Sequence, residues 1–241
     1  MIVRDEGGTF LLITQPDHAR LGRDIVSAMR TEPALAGASR NTVLLATLEH
    51  DNGWLEVDAM PTIDPATGRP CDFIAGPAAV KHELWPRGIR RAARADLRAG
   101  ALVAEHALTV YSYRRAEADW QPFFRPITAL RDDLLRQVGA ATGAAREAFD
   151  REYRCVRLGD SFSLQFCNAW TAPQETLGYR AEFREGALLI APDPFAGVTV
   201  RLRILGRRIA ARRYASDADL RAALAAAVPV TLDGEARGIA R

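Results

Sequence analysis

The period of the apolar residues changes near Pro173, and this change constrains the fold more than any other feature of the sequence. Before it, apolar residues recur at helical spacing in segments such as "DHARLGRDIVSAMR" and "ADLRAGALVAEHALTVYSY", which predicts amphipathic helices. After it, "YRAEFREG", "ALLIAP", "VTVRLRIL" and "RRIAARRY" alternate apolar and polar residues, which predicts strands. We therefore expect a helical part followed by a β-rich part.

Two further strands are expected at the start of the chain, where "IVRDEGGTFLLITQ" places apolar runs on both sides of a glycine pair. This hairpin is a candidate partner for the C-terminal strands, whose turns we place at Glu185-Gly186 and Leu205-Gly206. The expected fold is mostly α, of the all-α class. It consists of a helical domain with an N-terminal β-hairpin over residues 1–172 and a small β-rich (α+β) extension packed on it over residues 173–241.

Composition limits the classes of partner and compartment. The 32 basic and 30 acidic residues nearly balance, so charge gives no reason to expect binding to nucleic acid or to a membrane. The cysteines Cys71, Cys155 and Cys167 form no CxxC pair, which favours a reducing compartment. No uninterrupted apolar run approaches about 18 residues and no signal peptide is evident. We expect a cytoplasmic protein, and the bias toward Ala and Arg is typical of GC-rich bacteria.

Polar residues, which are energetically costly to bury, lie where the apolar pattern predicts a buried helix. In "LEHDNGW", His50 and Asp51 follow the apolar run "TVLLATL", and Asp160 interrupts the apolar stripe of a later helix. A carboxylate in an apolar interior needs a cation or hydrogen-bond donors nearby. A divalent metal held by imidazoles and carboxylates from several helices would supply that charge. An Arg–Asp or His–Asp hydrogen-bond network would supply it equally well.

The order of these residues resembles a known signature. The candidate ligands along the chain are His18, His50, Asp51, His82, His106 and Asp160. This order resembles the H…HD…H…H…D pattern of the HD-domain superfamily of metal-dependent phosphohydrolases, with "ATLEHDNGW" similar to the helix of the HD pair and "VRLGDSFSL" similar to the helix of the last aspartate. The segments "LITQPDHARLG", "EHDNGW" and "DPATGRPCDF" resemble DUF3891, a bacterial family of unknown function, over the entire chain.

The HD resemblance implies a helical bundle and a set of metal ligands. His18, His50, Asp51 and Asp160 would hold one divalent transition metal (Fe, Mn, Zn, Ni or Co). Asp51 would bridge to a second ion held by His82 and His106, with His50 and Asp51 as the catalytic residues. The segment "VKHELWPRG" around His82 equally fits the solvated start of a helix, in which case the site is mononuclear.

The resemblance implies an enzyme that hydrolyses a small phosphorylated molecule, either a phosphomonoester, a phosphodiester or a nucleotide. Cationic side chains are expected around the phosphate, and Lys81, Arg87 and Arg69 are the candidates. The same ligand set resembles the di-iron HD oxygenases, which is one alternative. A ligand-sensing module without catalysis is another. Neither nucleic acid nor membrane is an expected partner, and a homodimer is compatible with the sequence.

Overall fold

The computed structural model describes residues 1–240 and builds them from helices and one sheet. The helices are α1 Gln15–Ala28, α2 Arg40–Glu49, α3 Leu55–Ala59, α4 Ala78–Ala95, α5 Leu97–Val110, α6 Gln121–Gln137, α7 Gly143–Cys167 and α8 Asp217–Ala226. The strands are β1 Ile2–Asp5, β2 Thr9–Ile13, β3 Gln174–Thr176, β4 Tyr179–Arg184, β5 Ala187–Ala191, β6 Val200–Ala210 and β7 Pro229–Gly238.

Local sequence signals account for several helix starts. Thr14 caps α1 by accepting a hydrogen bond from the Asp17 amide, and a proline occupies the first turn. Asp96 caps α5 by accepting from the amides of Arg98 and Ala99. Between residues 1 and 240, no helix is both long enough and apolar enough to cross a bilayer.

The strands from both ends of the chain form a single mixed sheet. Its order is β1-β2-β6-β7-β5-β4-β3, with β5 and β7 parallel and the other neighbours antiparallel. The hairpin joins the C-terminal strands through β2 and β6, where Thr9 pairs with Ala210 and Leu12 with Arg207. This confirms the predicted pairing of the hairpin with the C-terminal strands.

The expectation of a mostly α fold of the all-α class is wrong. The structure is 52% helical but carries a curled seven-stranded sheet, so the fold is α+β. The alternating pattern correctly predicted extended structure in these segments, but we expected the C-terminal strands to form only a small extension. A two-residue period reveals that a segment is extended, whereas the partner of each strand depends on contacts between distant residues.

Helices α1 and α7 form the layer that positions the candidate site. They pack on each other, on strands of the sheet, and on α2, while α5 packs on α2 and α7. One core cluster joins Leu11 of the hairpin, Ile25 of α1 and Phe162 of α7 to Leu188 and Leu202 of the C-terminal strands. Helices α1 and α7 are therefore fixed between the sheet and the remaining helices.

Two glycines allow α1 and α7 to approach closely. A Cβ atom on Gly22 would lie 2.9 Å from the Gly159 carbonyl oxygen, and one on Gly159 would lie 2.8 Å from Val26 Cγ2. Any side chain at these positions would push the helices apart. The close approach sets His18, one turn before Gly22, beside Asp160, which follows Gly159.

Candidate metal centre

Five polar side chains with almost no solvent exposure meet where four helices converge. His18 lies in the first turn of α1, and His50 is the C-cap residue that follows α2, with Asp51 next to it. His106 lies on α5 and Asp160 on α7. Asp51 is the most exposed of the five, at 6%. Buried carboxylates are costly without a compensating positive charge, so this cluster requires one.

Neighbouring ligand atoms of the five side chains lie within 4 Å of one another. The separations are 3.0 Å from His18 Nε2 to Asp51 Oδ2, 3.2 Å between the Nε2 atoms of His18 and His50, 3.5 Å from His50 Nε2 to Asp51 Oδ2, 3.6 Å from His50 Nε2 to Asp160 Oδ1, and 3.9 Å from His106 Nε2 to Asp160 Oδ2. Ligand atoms at about 2.1 Å from one metal ion lie roughly 3 to 4 Å from each other. These separations therefore fit a metal's ligand set.

The ligand atoms fall into two overlapping groups. His18, His50 and Asp51 form one, and His50, His106 and Asp160 form the other; within each group all ligand atoms lie within 4.8 Å of one another. Because His50 belongs to both groups, it lies at the centre of the arrangement.

Hydrogen bonds orient the two central imidazoles. His50 Nδ1 lies 2.7 Å from the Thr47 carbonyl oxygen, which only accepts, so Nδ1 carries a proton. The Ser163 hydroxyl lies 2.8 Å from the Gly159 carbonyl oxygen and donates to it, so Ser163 Oγ accepts from His18 Nδ1 at 2.8 Å. In the neutral form of each imidazole, Nε2 therefore carries a lone pair. The lone pairs of His18 and His50 lie close to each other and to the carboxylates of Asp51 and Asp160. Such an arrangement is stable only with a cation or a proton between the lone pairs.

The electrostatics of the cluster favour positive charge at its centre. Burial alone would lower the pKa of His50, but Asp51 and Asp160 raise it to about 9. Burial would raise the pKa of Asp51, but the charge on His50 lowers it. Burial would raise the pKa of Asp160, but His50, His106 and Arg157 lie beside its carboxylate and lower it, and Arg157 donates a hydrogen bond to it. Burial lowers the pKa of His106 to about 3, which keeps this imidazole neutral and able to bind a metal.

His82 is the predicted ligand that the structure places elsewhere. Its ring packs against Trp120, with ring centroids 5.1 Å apart, and against Phe123 at 5.6 Å. It belongs to neither group of ligand atoms, and its buried Nε2 has no hydrogen-bond partner within residues 1–240. The structure thus brings together five of the six predicted ligands.

A cavity of about 200 Å³ leads to the cluster and reaches Asp51, His106 and Asp160. Of the three cations predicted to contact substrate, Lys81 lines this cavity. Arg87 is exposed and does not line it. Arg69 lies on another surface, where it forms an ion pair with Asp5 at 2.7 Å.

Several residues that contact the cluster or the cavity were not predicted. Arg157 donates to Asp160 Oδ2 at 2.7 Å and lines the cavity, and Ser163 orients His18. Both lie three positions from Asp160 on α7, so the helical period places them on its face and could have identified them. Gln15 also lines the cavity, but no sequence pattern distinguishes it.

Comparison with known proteins gives one result at the level of the family. No curated protein matches the chain, and no solved structure matches it. A family profile matches residues 1–211 of the 241, a range that includes all five clustered side chains. The chain therefore belongs to DUF3891, a family described as proteins of unknown function, as its motifs predict.

Proposed function

We propose that the protein is a metal-dependent hydrolase that cleaves a phosphate ester at a mononuclear centre of the HD type. The observation that carries the proposal is the convergence of the His18 and His50 Nε2 atoms with the carboxylates of Asp51 and Asp160. His106 supplies a further neutral imidazole. The motif order that resembles HD phosphohydrolases supports the same reaction.

The donor set suits a divalent transition metal such as Fe, Mn, Zn, Ni or Co, because imidazole nitrogens and carboxylate oxygens are the ligands that these ions accept. Bound in this site, such an ion supplies Lewis acidity to a phosphoryl oxygen and lowers the pKa of water toward neutrality.

The remaining chemistry belongs to the protein's own side chains. Asp51 belongs to the ligand cluster and also lines the cavity, so it is placed to accept a proton from the attacking water. His50 is held in one orientation by the Thr47 carbonyl oxygen and keeps Nε2 directed at the reaction centre. Arg157 orients Asp160 and presents positive charge to the cavity.

Phosphate release tests this function. Protein stripped with a chelator and reloaded separately with Mn, Fe, Co, Ni or Zn is assayed on p-nitrophenyl phosphate, bis-p-nitrophenyl phosphate and nucleoside monophosphates. We expect metal-dependent hydrolysis that Asp51→Asn reduces by at least about a hundredfold. Iron-dependent oxygen consumption without phosphate release would instead favour an oxygenase. Ligand binding without turnover would favour the sensing module.

The location of the protein is part of the proposal as well. Cys71, Cys155 and Cys167 are all free thiols, and Cys155 and Cys167 are buried. Unpaired cysteines are common in a reducing compartment. We propose the cytoplasm, where small phosphorylated metabolites are available.

A further inference from the structure

We infer that the substrate is a small phosphomonoester bound as its dianion, and that the Lys81 ammonium binds its phosphoryl group. This inference rests on the proposed function, because it names the substrate class of the same site. It also assigns a binding role to a residue outside the ligand cluster.

Lys81 is a buried cation without an acidic partner. The residue is 5% exposed, and no carboxylate in residues 1–240 forms an ion pair with it. Its ammonium donates to the Ile74 carbonyl oxygen at 2.8 Å and lies 5.8 Å from the centre of the Tyr111 ring. An ammonium has three donors, so these contacts leave it short of acceptors. Burial lowers the pKa of Lys81, and the carboxylate of Asp72, which forms no ion pair with it, does not offset this effect.

The charges around the cavity indicate how much negative charge the ligand carries. Asp51 and Asp160 are its acidic residues, and Lys81 and Arg157 are its basic residues. These four charges cancel, and the histidines bind a metal in their neutral form. The two positive charges of a divalent ion then remain to be balanced. A phosphomonoester has a second pKa of about 6 and is a dianion above neutral pH, whereas a diester carries a single charge.

The size and lining of the cavity limit the rest of the substrate. At about 200 Å³ it is smaller than the roughly 300–1,000 Å³ typical of ligand sites, so a small ester fits better than a nucleotide. Ile74 and Tyr113 form an apolar part of its lining and are 61% and 71% exposed. Gln15 is 1% exposed, and its Oε1 has no donor within residues 1–240. The cavity therefore offers apolar contact and one hydrogen-bonding amide to the alcohol portion of an ester.

Binding of two matched probes tests the substrate class without requiring turnover. Methyl phosphate is a dianion at pH 8, and dimethyl phosphate is a monoanion of similar size. Isothermal titration of the metal-loaded wild-type protein should give at least about tenfold tighter binding of methyl phosphate. Equal binding of the two probes, or tighter binding of dimethyl phosphate, would overturn the inference.

A pair of variants on α4 tests the role of Lys81. Lys81→Gln removes one of the two cations that line the cavity, and Arg87→Gln removes an exposed cation from the same helix. We expect Lys81→Gln to weaken methyl phosphate binding at least about tenfold at unchanged metal content, while Arg87→Gln binds like the wild type. Unchanged binding by Lys81→Gln would refute the assigned role. If that variant fails to fold, the wild-type comparison of the two probes still decides the substrate class.

The two proposals fail in different ways. A protein that binds metal and prefers methyl phosphate but hydrolyses no ester would contradict the hydrolase and support the dianion site. A metal-dependent hydrolase that prefers diesters in both binding and turnover would support the hydrolase and contradict the dianion site.

Discussion

His50 is the residue on which the candidate centre depends, because it belongs to both groups of ligand atoms. Its Nδ1 is bonded to the Thr47 carbonyl oxygen, and this contact comes from its own helix, three positions earlier. His18 has no such local partner and depends on Ser163 of α7. The second hydrogen bond of each ring fixes the direction of Nε2, which is how proteins orient metal-binding histidines.

The role of Ser163 gives a prediction at this scale. Ser163→Ala leaves the His18 Nδ1 proton without an acceptor, so we expect metal affinity to fall by about 10- to 100-fold. Ser161→Ala is the matched control, since Ser161 lies on the same helix but contacts Thr176. Metal dissociation constants from competition with a chromogenic chelator measure both variants. Equal affinities in Ser163→Ala and Ser161→Ala would contradict the orienting role.

Residue-level features of the site were largely predictable, for a physical reason. Helical periodicity identified His50 and Asp160 as facing a core, and a buried polar residue on an apolar stripe needs a partner. The same argument could not place His82, because α4 turns it toward Trp120. Helical periodicity also could not show that Lys81 is buried beside the cavity. The hydrogen-bond acceptor of its ammonium is the Ile74 carbonyl oxygen, which lies in the loop before α4.

Among the elements, the contact between α1 and α7 controls the spacing of the ligands. The glycines at 22 and 159 let the two backbones meet, and a Cβ atom on Gly22 would clash with carbonyl oxygen rather than with a flexible side chain. His18 and Asp160 flank this contact. Separating the helices would therefore move ligands from both of them.

Gly22→Ala should destabilise the protein even though alanine is the better helix former. We expect a loss of about 1–3 kcal/mol in the free energy of unfolding, together with weaker metal binding. Gly37→Ala is the control, because nothing lies within 4 Å of a Cβ atom there, and its effect should stay within about 0.5 kcal/mol. Urea denaturation measures both. A Gly22→Ala protein as stable as Gly37→Ala would contradict the close-approach account.

Strand boundaries show what an element's own sequence does not reveal. Leu205-Gly206 was predicted as a turn, and this was wrong, because β6 runs without interruption through both residues. A Cβ atom on Gly206 would lie 2.9 Å from Leu11 Cδ1 and 3.1 Å from the Leu12 carbonyl oxygen. Gly206 therefore allows β2 to approach β6 closely. In the sequence, a glycine with this role cannot be distinguished from a glycine that marks a turn. Glu185-Gly186, with φ of 52° and 81°, is the turn that was predicted.

For the molecule as a whole, the sheet holds the site-bearing helices in place. Strands from residues 1–13 and 174–238 pair with one another and share a core with α1 and α7. Pairing between distant segments joins all seven strands into one sheet, whereas the expectation of a mostly α fold counted the C-terminal strands only as a small extension. It also links the ligand cluster to the stability of the entire chain, because helices from different parts of the sequence supply the ligands.

Metal removal should therefore lower the melting temperature. A ligand present at about 100 times its dissociation constant stabilises the folded state by about 2.7 kcal/mol, so we expect a chelator to lower Tm by about 5–10 °C for a chain of this size. Differential scanning calorimetry with and without chelator measures the shift, and Asp51→Asn should show none. A chelator shift of equal size in Asp51→Asn would contradict metal binding at the cluster.

The transition-metal content of each purified chain is the most direct measure of the candidate centre. Mass spectrometry of protein prepared without chelator should find about one such ion per wild-type chain and in His82→Gln, and a marked loss in Asp51→Asn and His106→Gln. A wild-type chain that stays metal-free even after incubation with Mn, Fe, Co, Ni and Zn, or an Asp51→Asn chain that keeps its full complement, would contradict the account.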